Sequence, residues 1–208
     1  MQILEQIERG LAQLPVESSE ALARKCLIYI EQLTKWNKAY NLTAIRDPNE
    51  MVTRHILDSL AIAPYISGAE IIDVGSGAGL PGIPLSILFP DKKFLLLDSS
   101  GKKTRFMTHA AITLDLKNVN VVQSRVEDYQ EKRFDHVVCR AFASLSDISG
   151  KVIHLLNEDG TVLAMKGKED TSLEIASALE VGQISSYKVP MLDVERQLVE
   201  LKQARAII

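Results

Sequence analysis

Cysteine is nearly absent from this 208-residue sequence: Cys26 and Cys139 are the only two, far apart and without metal-ligand spacing. That pattern argues against a disulfide framework and points to two buried thiols in a cytoplasmic protein. Long apolar runs are missing as well, since no uninterrupted stretch reaches the ~18 residues that suggest a membrane helix. The first residues include Glu5 and Glu8, with neither a basic opening nor a small-residue cleavage pattern, so no signal peptide is expected. There is no excess of basic charge. A net charge of −3 argues against indiscriminate nucleic-acid binding and requires any such partner to meet a local basic patch. Internal repeats and low-complexity segments are also missing. What remains, 46% hydrophobic and 25% charged residues, is ordinary for a soluble globular protein. The length suits one α/β domain with a small extension, a size that buries about 70% of the unfolded surface.

Residues 1–66 read as a helical extension packed on a main domain of residues 67–208. Ile3, Ile7, Leu11 and Leu14 fall on one stripe and Leu22, Cys26, Tyr29, Leu33 and Trp36 on another, the spacing of helices that bury one face. A third helix starts at Asp47 as cap, with Pro48 first and Glu50 third, and is expected to end near Pro64. From Glu70 onward strands near 70–74, 93–97, 119–122, 136–139 and 161–165 alternate with helices near 81–89, 102–115, 144–156 and 171–180. Such alternation makes a parallel, doubly wound sheet with ligands at the carboxyl ends of its strands. Two last strands, near 183–189 and 196–203, are joined by only Pro190 to Glu195, so one of them should run antiparallel.

The most informative stretch runs from Glu70 to Gly82. An Ile/Val-rich strand leads into Gly75, Gly77, Gly79 and Gly82, a turn that lets backbone approach a ligand before a helix opens with Pro81. The glycine spacing is out of register with the dinucleotide fingerprint. Asp73, closing the strand, suits a cationic amino-acid moiety better than an anionic pyrophosphate, which tilts the cofactor toward S-adenosylmethionine. Asp98 closes the next strand, where a carboxylate accepts hydrogen bonds from ribose hydroxyls in either cofactor class. The plainer readings are a helix cap for Asp73 and an ordinary loop carboxylate for Asp98. After the third strand, Val126 and Glu127 can edge an adenine ring or sit in a solvated loop.

Together these stretches resemble one family closely, the bacterial small-subunit ribosomal RNA methyltransferase G family, also called glucose-inhibited division protein B. The resemblance rests on Trp36 to Thr43, Arg54 to Ser59, Asp73 to Pro84, Leu97-Asp98-Ser99 with Gly101-Lys102, Ser124 to Glu127 and Arg140 to Leu145. It implies a Rossmann-like class I S-adenosylmethionine-dependent methyltransferase fold, with a mainly parallel seven-stranded sheet and one antiparallel strand. It further implies methylation of N7 of one guanosine in 16S ribosomal RNA of the small subunit. By the resemblance, Gly75, Leu80, Val126, Glu127 and Arg140 look like the cofactor-contacting positions; Asp73, Gly77 and Asp98 join them as candidates from the strand ends and the glycine turn. Ala78 stands where many members have proline, and Gln197 follows Arg196 where a histidine is common.

The residues agree with that chemistry. Guanine N7 carries a lone pair and no proton, so attack needs no general base. Arg140-Ala141-Phe142 stands where methyltransferases of exocyclic amines carry Asp or Asn followed by two prolines and an aromatic. Cys139 follows Val138 rather than a proline, which suits a buried strand thiol better than a pyrimidine nucleophile. Catalysis by positioning is expected, an effect worth roughly 7–11 kcal/mol for well-oriented reactants. Arg140 is the candidate catalytic residue, at the cofactor or the target nucleotide. Phe142 either stacks on the base or fills the core under the next helix. Lys166, Lys168 and Arg196 are candidate RNA contacts, while Lys102 and Lys103 read as a solvated face. Arg54, His55 and Asp58 share a helix face and, with Asn37 and Asn41, form a candidate lining for the mouth of the site. His55 suits holding its helix better than acting as a base. No metal and no membrane partner are expected, and the protein is expected to be a monomer. Other functions compatible with the residues are a Rossmann-type oxidoreductase, a nucleotide-binding protein without catalysis, and methylation of a small molecule or protein.

Overall fold

The computed structural model describes residues 2–140, 144–167, 175 and 178–204. Helices α1 (Gln2–Leu11) and α2 (Glu20–Tyr40) come first, and the two predicted stripes are their buried faces. Ser19 starts α2 by accepting from the Leu22 N–H, and Asn41 ends it in the left-handed region at φ 49°. Asp47 caps α3 (Pro48–Met51) as expected, accepting from the Asn49 N–H. The helix then widens into a π-helical stretch (Val52–Leu57) before α4 (Asp58–Leu60), a feature the apolar spacing did not signal. Such widened turns occur mostly at functional sites, and this one carries Arg54 and His55.

The rest alternates as read. Strands β1 (Glu70–Val74), β2 (Lys93–Asp98), β3 (Val119–Gln123), β4 (Phe134–Arg140) and β5 (Leu156–Gly167) are parallel, with α5 (Gly82–Leu88), α6 (Gly101–Thr113) and α7 (Leu145–Val152) between them. Strands β6 (Leu179–Lys188) and β7 (Glu195–Gln203) form the predicted hairpin, and β7 runs antiparallel to both of its neighbours. The sheet order β3-β2-β1-β4-β5-β7-β6 reverses direction between β1 and β4. The helix expected near 171–180 lies mostly outside the described residues. Its end is a correction, because Leu179 and Glu180 pair with Gln203 and Lys202 as the start of β6, so edge pairing overrides the local pattern. No helix among the described residues is long and apolar enough to cross a membrane.

Two apolar layers sandwich the sheet. Ile71, Leu96, Val138 and Met165 face α1, α2, α5 and α6, whereas Ile72, Leu97, Cys139 and Ala164 face α7. Strand parity therefore decides which partner each residue at a strand end meets. Both cysteines are buried, and burial pushes the Cys26 thiol up to about 12.

A hydrogen bond ties the N-terminal helices to the glycine turn: the buried Tyr29 hydroxyl of α2 donates to the Ala78 carbonyl at 2.7 Å. Tyr29→Phe is expected to cost about 1–2 kcal/mol, because it leaves that carbonyl unsatisfied under the ring. Urea denaturation measures the loss, and an unchanged midpoint would show that the bond adds nothing.

Candidate functional site

The glycine turn folds back over the end of β2. Gly75 and Ser76 N–H groups donate to the Leu97 carbonyl at 2.8 and 3.1 Å, and the Gly77 N–H donates to Asp98 Oδ2 at 2.9 Å. Gly75, Gly77 and Gly79 hold φ values of 70°, 61° and 88°, a region open to glycine but costly for other residues. The turn leads directly into α5, which begins at Gly82, one residue after Pro81.

Beside the turn, at the carboxyl ends of β1 to β4, lies a cavity of about 460 Å³. Gly75, Asp98, Val126, Glu127 and Arg140 line it, as do Lys103 and Lys151. It sits at the strand-order reversal, where α/β sheets take their ligands. Three of the predicted cofactor residues lie outside its wall. Leu80 is buried in the core, Gly77 has its N–H committed to Asp98, and Asp73 faces away. Asp73 shares strand parity with Ile71, so its carboxylate points toward α5 and accepts from the Gly82 N–H at 2.8 Å. Burial pushes its carboxyl up to about 7 against that bond. This is close to the plainer reading of Asp73 as a cap. Asp98 binds the N–H groups of Gly77 and Ser100 and meets Lys103 at 3.3 Å. Lys103 therefore belongs to this wall rather than to a solvated face; its place one turn into α6, five residues after Asp98, was the available signal.

A second cavity, of about 360 Å³, adjoins the first and shares Arg140 with it. Arg54, His55 and Asp58 line it from the helical side, and Met165, Lys166, Gly167, Tyr187 and Arg196 from the sheet. Register explains the sheet side: Arg140 pairs with Met165, Gly167 with Arg196, and Arg196 with Tyr187. Asn37 and Asn41 do not line it. Asn37 instead fixes the loop after α2 through the backbone of Thr43 and Ile45. Phe142 and Lys168 lie outside the described residues. Tyr187, whose buried hydroxyl has no hydrogen-bond partner among the described residues, was missed because an exposed edge strand gives no apolar pattern to flag it.

His55 holds its helix to that loop. Its Nδ1 meets the Arg54 carbonyl at 3.1 Å, which can only accept, so Nδ1 carries the hydrogen and Nε2 accepts from the Thr43 hydroxyl, also at 3.1 Å. Burial first, then the Arg140 charge, lowers its pKa to about 4. A depressed folded value means the unfolded chain binds the proton more readily. This contribution to stability is complete above about pH 6.5 and is lost as pH falls toward 4, by about 3 kcal/mol at most. Chemical denaturation of wild type and His55→Gln across that window measures it; parallel pH profiles would refute it.

A parallel sheet reversing at β1 and β4, a glycine turn over β2 and a carboxylate closing β2 define a Rossmann-like methyltransferase of the S-adenosylmethionine-dependent class. Solved structures share this fold. Magnesium protoporphyrin IX methyltransferase from Synechocystis, with bound S-adenosylmethionine, matches at TM-score 0.56 and 12% identity over 86% of this chain and 97% of that one. An S-adenosylmethionine-dependent methyltransferase from Aquifex aeolicus matches at TM-score 0.56 and 15% identity over 75% and 94%. Within the class, residues 22–199 match the family described as rRNA small subunit methyltransferase G. The chain is 47% identical over 206 residues to ribosomal RNA small subunit methyltransferase G of Psychromonas ingrahamii, covering 98% of this chain and 100% of that protein. It is 50% identical over 198 residues to that of Alteromonas mediterranea, covering 94% of each. The chain belongs to the rRNA small subunit methyltransferase G family.

Proposed function

We propose that the protein methylates N7 of one guanosine in 16S ribosomal RNA, holding S-adenosylmethionine in the first cavity and the target nucleotide in the second. One observation carries this reading: Arg140 borders both cavities, so two ligands seated in them would meet at its side chain. The residues of the first cavity fit the cofactor. Val126 offers an apolar face for adenine, Asp98 a carboxylate for ribose, and Gly75 a backbone at φ 70° with no side chain between it and a ligand. When bound, the cofactor supplies a methyl group on a sulfonium, ready for in-line transfer to a nucleophile.

The second cavity fits a polyanion. Among the described residues, Arg54, Arg140, Lys166 and Arg196 line it against the single carboxylate of Asp58, so their summed charge is positive although the whole chain carries −3. Its residues have orienting work to do and no proton to remove, because N7 has a free in-plane lone pair. His55, neutral and committed on both nitrogens, is not poised as a base. Cys139 is buried on the opposite parity from Arg140, with its thiol pushed up by burial, which suits packing rather than attack.

The test is transfer of labelled methyl from S-adenosylmethionine to small ribosomal subunits taken from cells lacking this protein, followed by mapping of the modified base. One labelled guanosine, methylated at N7, is the expected product. Label on another atom, or none on ribosomal RNA while another acceptor is labelled, would overturn the reading.

A further inference from the structure

The carboxyl of Asp58 in α4 is buried and meets two arginines that come from strands β4 and β7. Its Oδ2 accepts from Arg140 Nη1 at 3.2 Å, and its Oδ1 from Arg196 Nε at 3.1 Å. Arg140 Nη1 also donates to the Arg54 carbonyl at 2.9 Å, which commits both hydrogens of that nitrogen to the helical side. The Nε and Nη2 donors of Arg140 keep no partner among the described residues. Arg196 is held by Nε alone, and its two terminal nitrogens make no hydrogen bond among the described residues. A guanidinium fixed at Nε presents those two nitrogens as a planar fork, the geometry that matches two oxygens of a phosphate.

We infer that Asp58 is a positioning residue: it aims Arg140 at the seam of the two cavities and holds Arg196 so that its outer fork takes a phosphate of the RNA strand beside the target nucleotide. The inference rests on the proposed reading of the protein as an RNA methyltransferase. Without Asp58, Arg140 and Arg196 would repel each other across one cavity and be free to turn away. With it, each arginine has one committed side and one open side. The widened turn before α4 brings the Arg54 carbonyl and the Asp58 carboxylate to the same guanidinium nitrogen.

Asp58→Asn separates positioning from simple anion attraction, because it removes the only carboxylate among the described residues that line the cavity and leaves their cations in place. An anion trap would then bind RNA more tightly, and KM would fall. Positioning requires the opposite, a drop in kcat/KM of about tenfold or more, with kcat falling as well. Arg196→Gln is expected to raise KM for RNA about tenfold and to flatten the slope of log affinity against log salt by about 0.7 to 0.9. Arg196→Lys, which keeps the charge and loses the fork, should raise KM while leaving the salt slope unchanged. Asp58→Asn combined with Arg196→Gln should lose less than the sum of the two single changes.

An Asp58→Asn enzyme with wild-type or improved kcat/KM, additive losses in the double variant, or an unaltered salt slope in Arg196→Gln overturns the inference. If Asp58→Asn does not fold, the two Arg196 variants decide, since that side chain is 28% exposed. Wild type inactive on ribosomal RNA would sink the functional reading and this inference together. Active wild type with unaffected variants would sink the inference alone.

Discussion

Arg140→Met is expected to lower kcat/KM for methyl transfer to ribosomal RNA by at least about a hundredfold, equivalent to roughly 2.7 kcal/mol of transition-state stabilisation. Methionine keeps most of the apolar stem and removes the guanidinium that borders both cavities. The Arg54 carbonyl and one oxygen of Asp58 lose their donor, but Asp58 keeps Arg196, so the buried carboxylate is not left without a cation. The stability cost should therefore stay below the 3–5 kcal/mol typical of breaking a buried pair outright. Single-turnover transfer with saturating cofactor, beside a thermal melt, separates the two effects. Full turnover by a folded Arg140→Met enzyme would remove Arg140 from the reaction. A loss seen only at low cofactor concentration would confine it to cofactor binding.

The second large effect falls on the glycine turn. Gly79→Ala places a Cβ at φ 88°, and that atom would lie 2.4 Å from Ile83 Cδ1 and 2.7 Å from its Cγ1. The left-handed backbone costs about 1–2 kcal/mol and overpacking about 1–3 kcal/mol more, so a loss of roughly 2–5 kcal/mol is expected. Ile83 is fully buried under the turn, which leaves it little room to yield. Relief by displacement of the turn would move the Gly75 backbone that lines the cavity. Calorimetric titration with S-adenosylmethionine should show affinity falling with stability. A variant that melts like wild type would show that Ile83 repacks freely, and one that melts early but binds normally would show that the wall does not move.

Much of the architecture was legible because each element carries its own period. The stripes of α1 and α2, the Asp47 cap, five apolar strands and the short 190–195 connection each state their structure locally, and local signals of this kind survive into the fold. The widened turn at Val52–Leu57 was not legible, since its apolar spacing reads as an ordinary helix. The start of β6 was misread for another reason: Leu179 and Glu180 become strand only by pairing with β7.

The candidate site divides along the same line. Gly75 and Asp98 could be singled out because strand ends and glycine turns are sequence features, Val126, Glu127 and Arg140 through the family resemblance, and in a parallel sheet those ends converge. Which way a side chain points at a strand end depends on a single step of parity, and what it meets depends on the layer packed there. That step turns Asp73 toward α5, and it brings Arg140 to Asp58, 82 residues earlier in the chain. The sequence alone determined the class of fold and the edge of the first cavity. Only the tertiary structure decided that one buried carboxylate joins two arginines between the cavities, because that contact is made of residues far apart in the chain and no local pattern encodes it.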